Sequence, residues 1–112
     1  MINLFLVVLT CLNLQLTPRY VDRTIDGDTF ILFNIGVPPE ERIRVLDIDT
    51  PEHGEPKFDE ARLFTTRWLA LGNFTINACR RDSFGRYLAT VTRDGHMSLA
   101  DSLFVSGLGV RR

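Results

Sequence analysis

At 112 residues, 45% hydrophobic and 24% charged, the chain has the size and composition of one globular domain whose core is only just adequate. A net charge of −1 excludes a global positive field that would draw it to nucleic acid or an anionic membrane. Of its thirteen basic residues only Lys57 is a lysine. Any anion site would therefore be built from arginine forks, unless the excess is a compositional bias.

The chain opens on MINLFLVVLTCL, an apolar run too short to span a bilayer. Its length suits the apolar part of a signal peptide, but no Lys or Arg precedes it and no small-x-small site follows. Residues 1–17 are read as an apolar leader, either a signal peptide or a first strand, and residues 18–112 as the domain. With a signal peptide the protein would be secreted or periplasmic, and otherwise cytoplasmic. Cys11 and Cys79 lack metal-ligand spacing and form no CxxC motif. Two free thiols are favoured over a disulfide, which needs a retained N-terminus and an oxidising compartment.

From Leu12 the residues alternate in LNLQL and continue through RYVDRTI to the turn DGD, after which TFILF resumes a β-rich run. NIGVPPEE is a second turn, and RIRVLDI the next strand. After DTPEHGEP the period lengthens: Phe58, Ala61, Phe64 or Thr65, Trp68 and Leu69 fall at helical spacing. Pro56 suits the first helical turn and Gly72 the stop. FTINACR and RYLATVTRD read as two strands joined by RDSFG. A short helix follows in MSLADSLFVSG, capped by Ser98 and ended by Gly107. Three strands, a helix, two strands and a helix make a mainly β chain of the α+β class. That is the order of a five-stranded Greek-key OB-fold barrel with a helix between strands 3 and 4 and a short C-terminal helix.

Three patches carry the chemistry. IDGDT, Ile25 to Thr29, is a hairpin turn that also offers Asp28 as an oxygen ligand for a hard cation. RVLDIDTPEHGEP, Arg44 to Pro56, crowds Asp47, Asp49 and Glu52 around a Thr-Pro step. Turn capping explains one of these acids and leaves the others, with Arg44, unexplained. On an ideal strand Arg44 and Asp49 face opposite ways. DSFGRYLA places Arg86 at a strand start behind Gly85. His53 and His96 lack metal-ligand spacing and read as surface residues, and Trp68 reads as core packing. The chain has no HExxH, GxxxxGK[ST] or GxSxG motif.

Together, IDGDT, then RxxxxDTPE, then DxxGR before LA, in this order and spacing, resemble the staphylococcal nuclease (thermonuclease) family. The resemblance runs from Tyr20 to Gly109 and takes in SLADSLFVSGLG, which is similar to that family's last common helix. It implies a Ca²⁺-dependent hydrolase that cuts phosphodiester bonds of DNA and RNA with little sequence preference and leaves 3′-phosphate ends. By the same resemblance Asp28 and Asp49 would bind Ca²⁺ through carboxylates and Thr50 through its backbone carbonyl. Glu52 would orient or deprotonate the attacking water, and Arg44 and Arg86 would bind the scissile phosphate. Asp26 would lie near the metal without being a ligand, and Asp47 would be structural or solvated. Phe84 and Ser83 stand where the family pattern has tyrosine and lysine, so Phe84 is expected to stack on a base while a phosphate contact is lost. The family pattern also continues into a further helix, whose nucleotide-lining tyrosines have no counterpart in these residues. The expected partners are nucleic acids, with no membrane span and a monomeric state. The rival reading is a catalytically silent nucleic-acid-binding OB-fold module.

Overall fold

The computed structural model describes residues 11–35 and 40–112. The proposed leader's residues 1–10 and the middle of the NIGVPPEE turn lie outside them. In chain order the elements are β1 (Leu12–Leu16), a 3-10 turn (Pro18–Tyr20), β2 (Val21–Asp26), β3 (Thr29–Phe33), β4 (Glu40–Val45) and β5 (Ile48–Asp49). They continue with α1 (Phe58–Ala70), β6 (Phe74–Arg81), β7 (Tyr87–Thr92), α2 (Leu99–Val105) and β8 (Val110–Arg111).

The α+β class is observed, with more strands than five. Six form one sheet in the order β1-β6-β7-β4-β3-β2, and β5 and β8 form a separate two-stranded ladder. All the ladders are antiparallel except β4 with β7, which run parallel. Among the described residues no ladder joins β1 to β2. These two edge strands are nonetheless consecutive in the chain, separated only by the 3-10 turn.

β1 is a strand, one of the two alternatives for residues 1–17, and it overturns the expectation of free thiols. Leu12–Leu16 pairs with β6 from Leu12 opposite Ala78 to Leu16 opposite Phe74, so a domain boundary after residue 17 would cut through the sheet. One step further along this register Cys11 meets Cys79, and the two form a disulfide rather than two free thiols. The bond closes a loop with a sequence separation of 68, for which the chain-entropy relation gives about 4 kcal/mol of stabilisation. Replacing both cysteines with serine should lower the urea-unfolding free energy by about 2–4 kcal/mol. A change under about 0.5 kcal/mol would mean that the β1–β6 ladder holds the strand unaided.

The core lies between the sheet and the two helices. Phe30 and Leu32 of β3, Ile43 and Val45 of β4 and Phe74 and Ile76 of β6 are buried with Trp68 and Leu69 of α1 and Leu99 and Leu103 of α2. Phe30 meets Phe74 edge-to-face at 6.4 Å between ring centres, a favoured aromatic geometry. Trp68 packs as expected, and Arg93 stacks over its ring at 4.1 Å. The same guanidinium donates to the carbonyls of Trp68, Gly72 and Asn73, satisfying the open end of α1. Pro56 falls ahead of α1 rather than in its first turn, and Lys57, left-handed at φ 69°, is the N-cap. α2 begins and ends as its sequence suggests. The Ser98 hydroxyl accepts from the Asp101 N–H, and left-handed Gly107 lets the Leu108 N–H return to the Leu103 carbonyl.

Candidate functional site

The β2–β3 hairpin closes on Gly27 and Asp28, and three contacts fix it. The Asp26 carboxylate accepts from the Asp28 N–H at 3.0 Å, a common turn-locking bond. The buried Thr65 hydroxyl of α1 donates to the Gly27 carbonyl at 2.6 Å. Thr50 lies directly against Gly27, where an added Cβ would meet the Thr50 side chain at 2.7–2.8 Å. Gly27→Ala should therefore displace Thr50, lower stability by about 1–3 kcal/mol and abolish the site's geometry. Urea unfolding reads the first effect. A changed Thr50 amide shift in an NMR spectrum, through loss of its hydrogen bond to Asp28, reads the second.

Asp28 joins this hairpin to the chain beyond β5. One carboxylate oxygen accepts from the Thr29 hydroxyl at 3.1 Å, the other from the Thr50 N–H at 2.9 Å and the Thr50 hydroxyl at 3.1 Å. Arg44, on β4 opposite Thr29, brings its guanidinium to 3.6 Å from the same carboxylate. One of its nitrogens donates to the carbonyls of Val45 at 2.6 Å and Ile48 at 2.7 Å, and another pairs with Asp49. Its side chain is 6% exposed.

The expected opposition of Arg44 and Asp49 fails because RIRVLDI is not one strand. Leu46 and Asp47 form a turn, with Asp47 left-handed at φ 70°, and the two-residue β5 brings Asp49 back to face Arg44. The Asp47 carbonyl accepts the Arg112 N–H, and its side chain is exposed.

Arg86 is set by the turn behind it. Asp82 accepts from the N–H groups of Phe84 and Arg86 and from the Arg86 side chain at 2.7 Å, while Gly85 takes φ +84°. Burial alone would raise the Asp82 carboxyl, but these hydrogen bonds together hold it below its ordinary range. Arg86 also reaches the Thr29 hydroxyl at 3.4 Å, so one threonine links it to Asp28.

Arg44, Glu52, Arg86, Asp28, Asp49 and Thr50 all line a single cleft of about 720 Å³. Glu52 is exposed at its mouth, and its carboxylate has no hydrogen-bond partner among the described residues. Phe84 does not line this cleft. It lies 82% exposed on an adjoining one. Three contributors escaped the sequence reading: Thr29, Glu55 and Arg112, the last 3.5 Å from Asp49. Thr29 stood in the quoted IDGDT and could have been found as a hydroxyl between two charged motifs. Nothing in the residue pattern marks Glu55 or Arg112. His53 and His96 are exposed, as expected.

The cleft is acidic on balance, with five carboxylates against three guanidiniums. Burial pushes the Asp26 carboxyl up to about 6, and the neighbouring Asp28 adds to the rise. Carboxylate and carbonyl oxygens are the donors a hard cation takes. Among the described residues no three acidic, histidine or cysteine side chains close around one point, so an ion here would draw further oxygens from water or a ligand. Comparison of the sequence with protein-family models and with curated proteins gives no match.

Proposed function

We propose that the protein is a Ca²⁺-dependent nuclease that hydrolyses DNA and RNA phosphodiesters. The observation that carries this reading is the convergence of Asp28, Asp49, Thr50, Glu52, Arg44 and Arg86, from three separate sequence patches, on one cleft. Such a site combines fixed cationic donors with an unpaired carboxylate, the two things hydrolysis of an anionic ester requires.

Asp28, Asp49 and the Thr50 carbonyl would hold the Ca²⁺, whose charge would offset the acidic excess and polarise a phosphoryl oxygen. Glu52 takes a proton from water as its oxygen attacks phosphorus. The bond from phosphorus to the 5′-oxygen breaks, that oxygen takes a proton from solvent to leave as the 5′-hydroxyl, the phosphate stays at the 3′ end, and Glu52 returns its proton to solvent. Arg44 and Arg86 hold the phosphate oxygens as negative charge builds there. Contacts of this kind read backbone rather than bases, hence DNA and RNA alike.

An OB-type barrel suits the topology. Its two supports are the parallel β4–β7 pair and the single turn that joins edge strands β1 and β2. The Cys11–Cys79 disulfide favours an oxidising compartment, in keeping with secretion or a periplasmic site.

The silent-module reading has one observation in its favour: Asp49 is already neutralised by Arg44 and Arg112 without an ion. End-labelled single-stranded DNA, duplex DNA and RNA, incubated with purified protein in Ca²⁺, Mg²⁺ or EDTA, separate the two. The nuclease cuts in Ca²⁺ and is silent in EDTA. Binding without cutting in any metal would establish the module.

A further inference from the structure

Beside the proposed catalytic cleft lies a second one of about 350 Å³, and Arg44, Arg86 and Arg112 line both. Two of these are already assigned to the scissile phosphate and also carry carboxylate pairs, Arg44 with Asp28 and Asp49 and Arg86 with Asp82. The second cleft adds Arg80 of β6, exposed and without an ion pair or hydrogen bond among the described residues. Its neighbour Arg81 differs sharply, being held by Glu41 at 2.9 and 3.0 Å and by the Gly85 carbonyl. Arg112 keeps only the 3.5 Å approach to Asp49, a carboxylate that Arg44 engages more closely. Asp47 is the sole acid of this cleft not already bound by an arginine side chain. Two guanidiniums thus face the second cleft with donors to spare, next to the exposed ring of Phe84.

We propose that Arg80 and Arg112 form a phosphate subsite for the nucleotide next to the scissile bond. The ligand is a single strand of nucleic acid that crosses the arginine wall from one cleft to the other. The chemistry fits: adjoining phosphates on a flexible chain need cations at intervals, and an open aromatic face accepts any base. The inference rests on the nuclease reading for the identity of the first cleft and makes the substrate an oligomer rather than a lone diester.

The test uses Arg80→Gln, Arg112→Gln and the double variant, with Arg67→Gln on α1 as a charge-matched control. All are checked by thermal melting. Binding of a fluorescein-labelled thymidine dodecamer in EDTA is followed by anisotropy across a salt series. Each single substitution should raise Kd about tenfold and reduce the slope of log K on log salt by about 0.7, the control changing Kd less than twofold. In Ca²⁺, kcat/KM of the double variant should fall at least tenfold more for the dodecamer than for thymidylyl-thymidine. Equal losses on the two substrates, or dodecamer binding indifferent to the double substitution, overturn the subsite and leave the nuclease intact. Arginine-dependent binding with no cleavage by the unaltered protein keeps the subsite and removes the nuclease. No binding by the unaltered protein removes both.

Discussion

Glu52→Gln should cut single-stranded DNA in Ca²⁺ at least a hundredfold more slowly than the unaltered protein, with kcat carrying the loss and KM nearly unchanged. A positioned general base contributes roughly 10²- to 10⁴-fold, and glutamine keeps the shape while removing the proton acceptor. The carboxylate is exposed and unpaired among the described residues, so the fold owes it little. Melting temperature should therefore match the unaltered protein within a degree or two, separating loss of chemistry from loss of structure. Rates within tenfold of the unaltered protein would reassign the base, with Glu55, whose side chain takes the Glu52 N–H at 2.7 Å, the next to replace.

Arg44 should behave in the opposite way, as a residue on which fold and chemistry both depend. Its guanidinium satisfies two carbonyls and pairs with two carboxylates while almost fully buried. Arg44→Met would leave Asp28 buried without its cation and the Val45 and Ile48 carbonyls without their donor. Breaking one side of a buried ion pair costs about 3–5 kcal/mol. Domains of this size have only about 5–15 kcal/mol in total. Urea unfolding of the variant should show a midpoint lowered by at least about a fifth, together with undetectable cleavage. Adding Asp28→Asn should restore part of the stability and none of the activity, because the stranded charge is gone but the proposed Ca²⁺ ligand is lost too. A loss below 1 kcal/mol for Arg44→Met would mean that water replaces the guanidinium and that the site is looser than its distances indicate.

The elements of this fold were legible where hydrophobic period and turn chemistry agreed. The Asp-Gly hairpin, the Phe58–Leu69 stripe and the Ser98 and Gly107 signals each became the expected element, whereas the run from LNLQL through RYVDRTI broke at Pro18–Tyr20 into β1 and β2. What escaped was set by contacts between distant segments. VLDI reads as an unbroken apolar strand, and its turn at Asp47 uses a left-handed non-glycine residue that leaves no mark in the sequence. The disulfide depends on the register of β1 against β6, and cysteine spacing says nothing of that register. The six site residues were visible as motifs, yet only the β4–β5 reversal explains how Arg44 and Asp49 touch. Arg112 joins the cleft through β8, an element too short for any period to show.

That short strand leaves the two sides of the cleft unequal in how readily they open. The side built on Asp28 and Arg44 belongs to β3 and β4, locked into the six-stranded sheet. The side carrying Leu108 and Arg112 is held by a ladder of two residue pairs, Ile48 with Arg111 and Asp49 with Val110, by the Arg112 N–H on the Asp47 carbonyl, and by the exposed ion pairs of Arg111 with Asp101 and Arg112 with Asp49. Segments held so lightly exchange their amide hydrogens through local excursions far cheaper than global unfolding. On the nuclease reading this is the side by which a polymer would enter while the charged groups opposite hold their places, and amide exchange should be fast at Val110 and Arg111 and slow at Ile43 and Val45.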